Sequence, residues 1–319
     1  MKRPPSGLRV PPAAWVFIKI AVTVLAVWLV WNKVDFRALG PPLRQAGLGW
    51  LALFIALQYV IVYLNAARWR CLVAIPDIPV RKYLYYVFVG TFLALVLPSA
   101  ALAEGARTYA FGKRYGDVQQ NFAAILFARL SGFVIQLAFM AVAIAFAWRQ
   151  VASLPLWDAA AFDPRPMLAA LVLGLAGGSA VWFFLRERTL SFARAFGEYL
   201  RGGSAARLRL VRVTLYSLAI QVLAMASTWA LFRSVDTDLA FWHLAVIPTL
   251  VQVILLLPVS FGGVGVREVL NVLLFSRLAG VDAETTLAAS LLAYTSWLAL
   301  AATGGAWYLF RRTRKNEED

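Results

Sequence analysis

The chain has 319 residues, 61% hydrophobic and 15% charged, with 31 Lys and Arg against 16 Asp and Glu for a formal net charge of +15. Soluble domains hold roughly 45–50% apolar and 25% charged residues, so a soluble chain of this composition could not cover its own surface. Its apolar runs are continuous, which excludes the alternating strands of a membrane β-barrel. Runs of about 15–25 residues suit helices crossing ~30 Å of hydrocarbon, and the expected class is all-α, polytopic and membrane-integral. Cys71 is the lone cysteine and His243 the lone histidine, which leaves no disulfide and no His/Cys cluster for a metal. No cofactor is expected. The basic residues lie in short loops between apolar runs, which reads as a positive-inside pattern with attraction to anionic membrane lipids rather than a nucleic-acid footprint.

In chain order, the apolar runs predict helices over 14–31, 48–66, 83–97, 120–147, 167–185, 211–232, 241–257 and 285–309. The first follows Lys2, Arg3 and Arg9 and is long enough to be a retained anchor rather than a cleaved leader. Segments 98–111 and 258–277 are too short to span and too apolar for ordinary loops. The loop 186–212, with seven arginines from Arg186 to Arg212, and the tail from Arg311 to Lys315 are expected to be cytoplasmic. The turn carrying Arg68, Arg70, Arg81 and Lys82 falls on the same side, and both termini with it. Arg107, Lys113 and Arg114 join them only if 83–111 forms a re-entrant hairpin from the cytoplasm, and 241–277 then forms one from outside. About six full crossings and two hairpins result. Lys33, Arg37 and Arg44 lie on the outer side, partly offset by Asp35.

The two odd segments are related. Residues 95–107 read LVLPSAALAEGAR and residues 255–267 read LLLPVSFGGVGVR, sharing Leu95/Leu255, Leu97/Leu257, Pro98/Pro258, Gly105/Gly265 and Arg107/Arg267 at an offset of 160 residues. Trp69 and Trp229 keep that offset. A repeat whose halves charge counting sets in opposite orientations is an inverted-topology arrangement, with a site near the midplane at the broken segments. The halves are about 48–147 and 211–309 of one membrane domain, 1–319.

Proline leaves carbonyls free, and Gly262, Gly263 and Gly265 let a ligand approach the backbone. A helix starting there aims its positive end at an anion, and Arg107 and Arg267 add planar donor forks suited to phosphate. Glu104 and Arg107 share a helical face, so a pair between them is one expectation. Arg267 and Glu268 are adjacent and cannot face each other if helical, so partners from the other hairpin, for instance Arg107–Glu268 and Arg267–Glu104, are the other. Ionisable groups at depth are costly, which makes them functional candidates. G-x-S-x-G, H-E-x-x-H and Walker A sequences are absent, and no enzyme is expected.

The segments LPSAALAEGARTYAF, LPVSFGGVGVREVL and LNAARWRCL resemble the lysylphosphatidylglycerol synthase transmembrane-region family of flippase-like proteins, over nearly the whole chain. The match to the second family signature runs through Pro258, Ser260, Gly262, Gly263, Gly265, Arg267 and Glu268. The first is met at Pro98, Glu104 and Arg107, with Ala103 in place of a glycine. In the next long helix Arg129 and Leu130 fit, while Ala128 and Gly132 depart from the family pattern. The resemblance implies a bacterial inner-membrane protein that moves a phospholipid or polyprenyl-type lipid between leaflets, without the soluble aminoacyl-transferase domain of larger members. A membrane-embedded transferase or hydrolase with Glu104 or Glu268 as base, and a non-transporting accessory subunit, are the alternatives.

Overall fold

The computed structural model describes residues 39–73, 75, 78–97, 100–152, 203–255 and 265–318. Within them the chain is helical: α1 Gly40–Arg44, α2 Leu48–Val73, α3 Val80–Val96, α4 Ala100–Tyr115, α5 Val118–Phe146, α6 Trp148–Ala152, α7 Gly203–Ser234, α8 Phe241–Leu255, α9 Val266–Ala279 and α10 Ala283–Glu318. The expected helices 14–31 and 167–185 lie outside the described residues.

Among the described residues four helical stretches are long and apolar enough to cross a membrane: Leu48–Val73, Val118–Phe146, Arg207–Ser234 and Ala283–Phe310. Their apolar residues are not confined to one face. On α5 the large side chains of Phe122, Leu126, Leu130 and Val134 are exposed every fourth residue. Such a stripe is stable against acyl chains and not against water. α3, α4, α8 and α9 are shorter, 14 to 17 residues. At 1.5 Å per residue they reach about 21–26 Å, less than the hydrocarbon thickness.

Several expected boundaries move, among them the end of α10, at Glu318 rather than 309, and the start of α3, which takes Arg81 and Lys82 from the expected turn. α2 runs to Val73, so Arg68 and Arg70 lie in its last turns and not in the following turn. The helix continues because nothing between Ala66 and Val73 breaks it, and Ala66, Trp69 and Leu72 are buried. The proposed loop 186–212 ends early, since α7 starts at Gly203 and takes Arg207, Arg209 and Arg212 into its opening turns.

α2 packs along α7. α3 lies against α10, and α8 against α5. α4 touches α3 and α5, while α9 touches α8 and α10. One core joins Phe54, Met225, Phe232, Ile247 and Phe275, with the Phe232 and Phe275 rings 4.4 Å apart. A second, beside the first short-helix pair, holds Trp69, Tyr83, Tyr86 and Phe111. The α3–α10 contact depends on Gly304, where an added Cβ would lie 2.1 Å from the Phe88 carbonyl oxygen. Pro248 removes one backbone donor within α8.

Asp282 precedes α10 and accepts from the Thr285 backbone N–H at 2.8 Å. Partial burial raises its pKa, but hydrogen bonds from Thr285 and its own backbone outweigh that and hold the carboxyl below its ordinary value. A lowered carboxylate stabilises the fold above its unfolded pKa and loses that contribution as pH falls through the folded one. Asp282→Ala is therefore expected to cost about 1 kcal/mol at neutral pH, the usual worth of such a cap. The difference from wild type, read from thermal unfolding in detergent, should close in acid.

Candidate functional site

Four helices build a charged cavity of about 310 Å³ lined by Asn65, Arg68, Trp69, Glu104, Arg107 and Arg129. α2 contributes the first three at helical spacing, so all point one way. α4 contributes Glu104 and Arg107, one turn apart, and α5 contributes Arg129. Glu104 Oε1 accepts from Arg107 Nη2 at 2.9 Å, and Glu104 Oε2 pairs with Arg129. The Arg107 guanidinium also lies 5.8 Å from the centroid of the Trp69 ring, a cation–π contact. Arg68 donates to Asn65 Oδ1 at 2.8 Å and to Ser217 Oγ on α7 at 3.0 Å.

Small residues make the room. A Cβ at Gly90 on α3 would fall 2.4 Å from Arg107 Cδ, and one at Gly132 on α5 would fall 3.1 Å from Arg68 Nη1. Arg68 is buried, Arg107 mostly so, and Arg129 is 62% exposed at the rim. Among the described residues three guanidiniums thus line the cavity with one carboxylate, an excess of two positive charges. The Nε atoms of Arg68 and Arg107 are buried without a hydrogen-bond partner.

Residues of both halves form a larger cavity of about 650 Å³. Its wall includes Leu95 and Leu97 from the end of α3, Gln58 of α2, and Arg267 and Glu268 from the first turn of α9. α9 opens directly after Gly265, whose φ of 79° lies in the region that glycine tolerates. Arg267 is exposed and Glu268 is buried, so neighbours in sequence point apart. Glu268 Oε1 accepts from the Tyr294 hydroxyl at 2.5 Å, while Oε2 has no partner. Asn271 donates to Ser290 beside them.

Glu104, Arg107 and Arg129 are therefore brought together, but Arg107 and Arg267 line different cavities. The expected cross-hairpin pairs do not form. Glu104 finds Arg107 on its own helical face and Arg129 on the next helix, and Glu268 turns toward α10 and Tyr294. Pro98, Pro258, Ser260, Gly262 and Gly263 lie outside the described residues. Asn65 and Arg68 lie in the segment LNAARWRCL that carries the family resemblance, but they are not among the expected site residues. Their i, i+3 spacing on an otherwise apolar stretch is the signal that could have found them.

Long apolar helices around a charged interior define a multi-helix membrane protein with an internal anion-suited cavity. The model of the lysylphosphatidylglycerol synthase TM region matches residues 16–304 of 319, and the chain belongs to that family. No curated protein and no solved structure matches it.

Proposed function

We propose that the protein is a lipid-translocating membrane domain that recognises the phosphate of a lipid and moves it between leaflets. The cluster of Arg68, Arg107 and Arg129 around the single Glu104 carries this reading. Unbalanced charge inside a membrane domain is costly, and an anion entering the cluster removes that cost. Guanidinium forks suit phosphate oxygens, and the two unpartnered Nε–H groups are donors in hand.

An inverted repeat supports transport over simple binding. The 160-residue offset relates α2 to α7, α3 to α8, α4 to α9 and α5 to α10. Under that exchange the α3–α10 packing becomes α8–α5, and the α3–α4 and α4–α5 contacts become α8–α9 and α9–α10. Halves of this kind rock against each other to expose a site alternately. On this reading the chain lies in the bacterial inner membrane with both termini cytoplasmic, Pro98 belongs to the first half's share of the path, and Pro258, Ser260, Gly262, Gly263, Gly265, Arg267 and Glu268 to the second's.

Leaflet-resolved transport of a fluorescent phosphatidylglycerol in proteoliposomes tests this. Arg107→Gln and Arg129→Gln should each slow transport about tenfold, equivalent to losing ~1.4 kcal/mol from one charge-assisted contact. Rates equal to wild type in both variants would rule the mechanism out. A chemically altered lipid product would instead mark an enzyme.

A further inference from the structure

The cavity at α9 has a different chemistry from the arginine cluster. Its walls are mainly apolar, and its polar groups are one guanidinium, Arg267, with a carboxylate, amides and hydroxyls that include Glu268, Gln252, Asn271, Ser290 and Tyr294. Glu268 is 7% exposed, and one of its oxygens is a buried acceptor with no donor. Arg267 does not supply that donor, because adjacent helical positions diverge and its side chain is exposed. A buried carboxylate oxygen without a partner is expensive, so the site is incomplete without a ligand that donates a hydrogen bond.

We infer that this cavity is a head-group site selective for a polyhydroxyl group, such as inositol, a sugar or glycerol, on a phosphate-bearing lipid. This deepens the transport reading above and rests on it. A hydroxyl both donates and accepts, and amides and hydroxyls do the same. A polyol therefore satisfies Glu268 Oε2 and the neighbouring Asn271, Ser290 and Gln252 together. An ammonium only donates and leaves the amide N–H groups unmatched, and a trimethylammonium leaves Glu268 unmatched as well. Trp297 lines the same cavity and offers a flat apolar face to ring C–H groups. The volume of about 650 Å³ holds a sugar-sized group. Arg267, exposed and lining the same cavity, supplies a cation for the phosphate that follows.

The two cavities share no lining residue. On α2 their walls come as near as Gln58 and Val62, one turn apart, and the polar lining of the arginine cavity begins a turn further on at Asn65. The α9 cavity is therefore a separate station.

The full-length protein in a sugar-free amphipol is titrated calorimetrically with four water-soluble dihexanoyl probes: phosphatidylinositol, phosphatidylglycerol, phosphatidic acid and phosphatidylethanolamine. Phosphatidic acid carries the phosphate and negative charge without head-group hydroxyls, and phosphatidylethanolamine carries an amine. Phosphatidylinositol is expected to bind tightest and phosphatidylglycerol next, with the other two weaker by about tenfold, as when a site built for hydroxyls meets a ligand lacking them. Glu268→Gln should bring phosphatidylinositol within about twofold of phosphatidic acid, since the charged acceptor is gone. Asn271→Leu should narrow the gap in the same direction. Equal affinity for phosphatidic acid and phosphatidylinositol overturns the inference but leaves the phosphate reading intact. Tighter binding of phosphatidylethanolamine overturns it in favour of an ammonium site. A full phosphatidylinositol preference retained in Glu268→Gln also overturns it. Saturable binding of none of the four overturns the transport reading and this inference together.

Discussion

Glu104→Gln is expected to destabilise the protein by about 2 kcal/mol, less than removing one partner of a fully buried ion pair, because Arg129 is 62% exposed. Among the described residues the carboxylate is the only acidic group lining the arginine cavity, and each of its oxygens holds a different arginine. Glutamine keeps the shape but neutralises the charge, so Arg68, Arg107 and Arg129 then repel without compensation. Thermal unfolding in detergent gives the size of the loss. Adding Arg129→Gln to Glu104→Gln should recover part of it, because the second change removes an uncompensated charge. Contacting residues of this kind couple by about 0.5–3 kcal/mol in double-mutant cycles. An anionic lipid that fills the cavity should also restore stability in proportion to its occupancy. A Glu104→Gln protein as stable as wild type would mean that the acid does not hold the cluster together.

Gly304→Ala should be nearly as damaging for a different reason. The new methyl would meet the Phe88 carbonyl carbon at 2.6 Å as well as its oxygen, and both belong to the α3 backbone. Neither atom can swing aside. α10 must retreat along its contact with α3, and overpacking of this type costs about 1–3 kcal/mol or more. Close helix approach through small residues is the main source of association energy in lipid, so the lost packing is not replaced. Gly305 provides the control. The three atoms nearest its added Cβ would all belong to the Phe92 ring, the first at 3.0 Å, and a side chain can rotate away. Gly305→Ala should lower the unfolding midpoint clearly less than Gly304→Ala, and the opposite order would refute this account of the α3–α10 seam.

The gross architecture was legible because membrane helices are written in continuous apolar runs. α5 and α8 emerge within two residues of expectation at both ends. The end of α2 was not legible, since Arg68 and Arg70 look like loop residues in a hydropathy reading. In the structure Arg68 stays helical because Asn65 and Ser217 satisfy it inside the bundle. The cross-hairpin ion pairs failed because one-dimensional spacing says which groups share a face and not which helix that face meets. Arg129 takes Glu104 from α5, and Tyr294 takes Glu268 from α10. Gly90 and Gly132 were equally silent, because a glycine that makes room for a distant arginine has no local pattern.

α2 supplies Gln58 to one cavity and Arg68 to the other while packing along α7. A helix held by its own hydrogen bonds behaves as a rod, so a displacement begun at one wall is delivered to the other. On the two-station reading, occupancy of one cavity would be linked to occupancy of the other through α2, and such a linkage is reciprocal: whatever factor one ligand imposes on the other's affinity is returned unchanged. A single helix would then act as a comparator, weighing what sits on the arginines against what sits on Glu268.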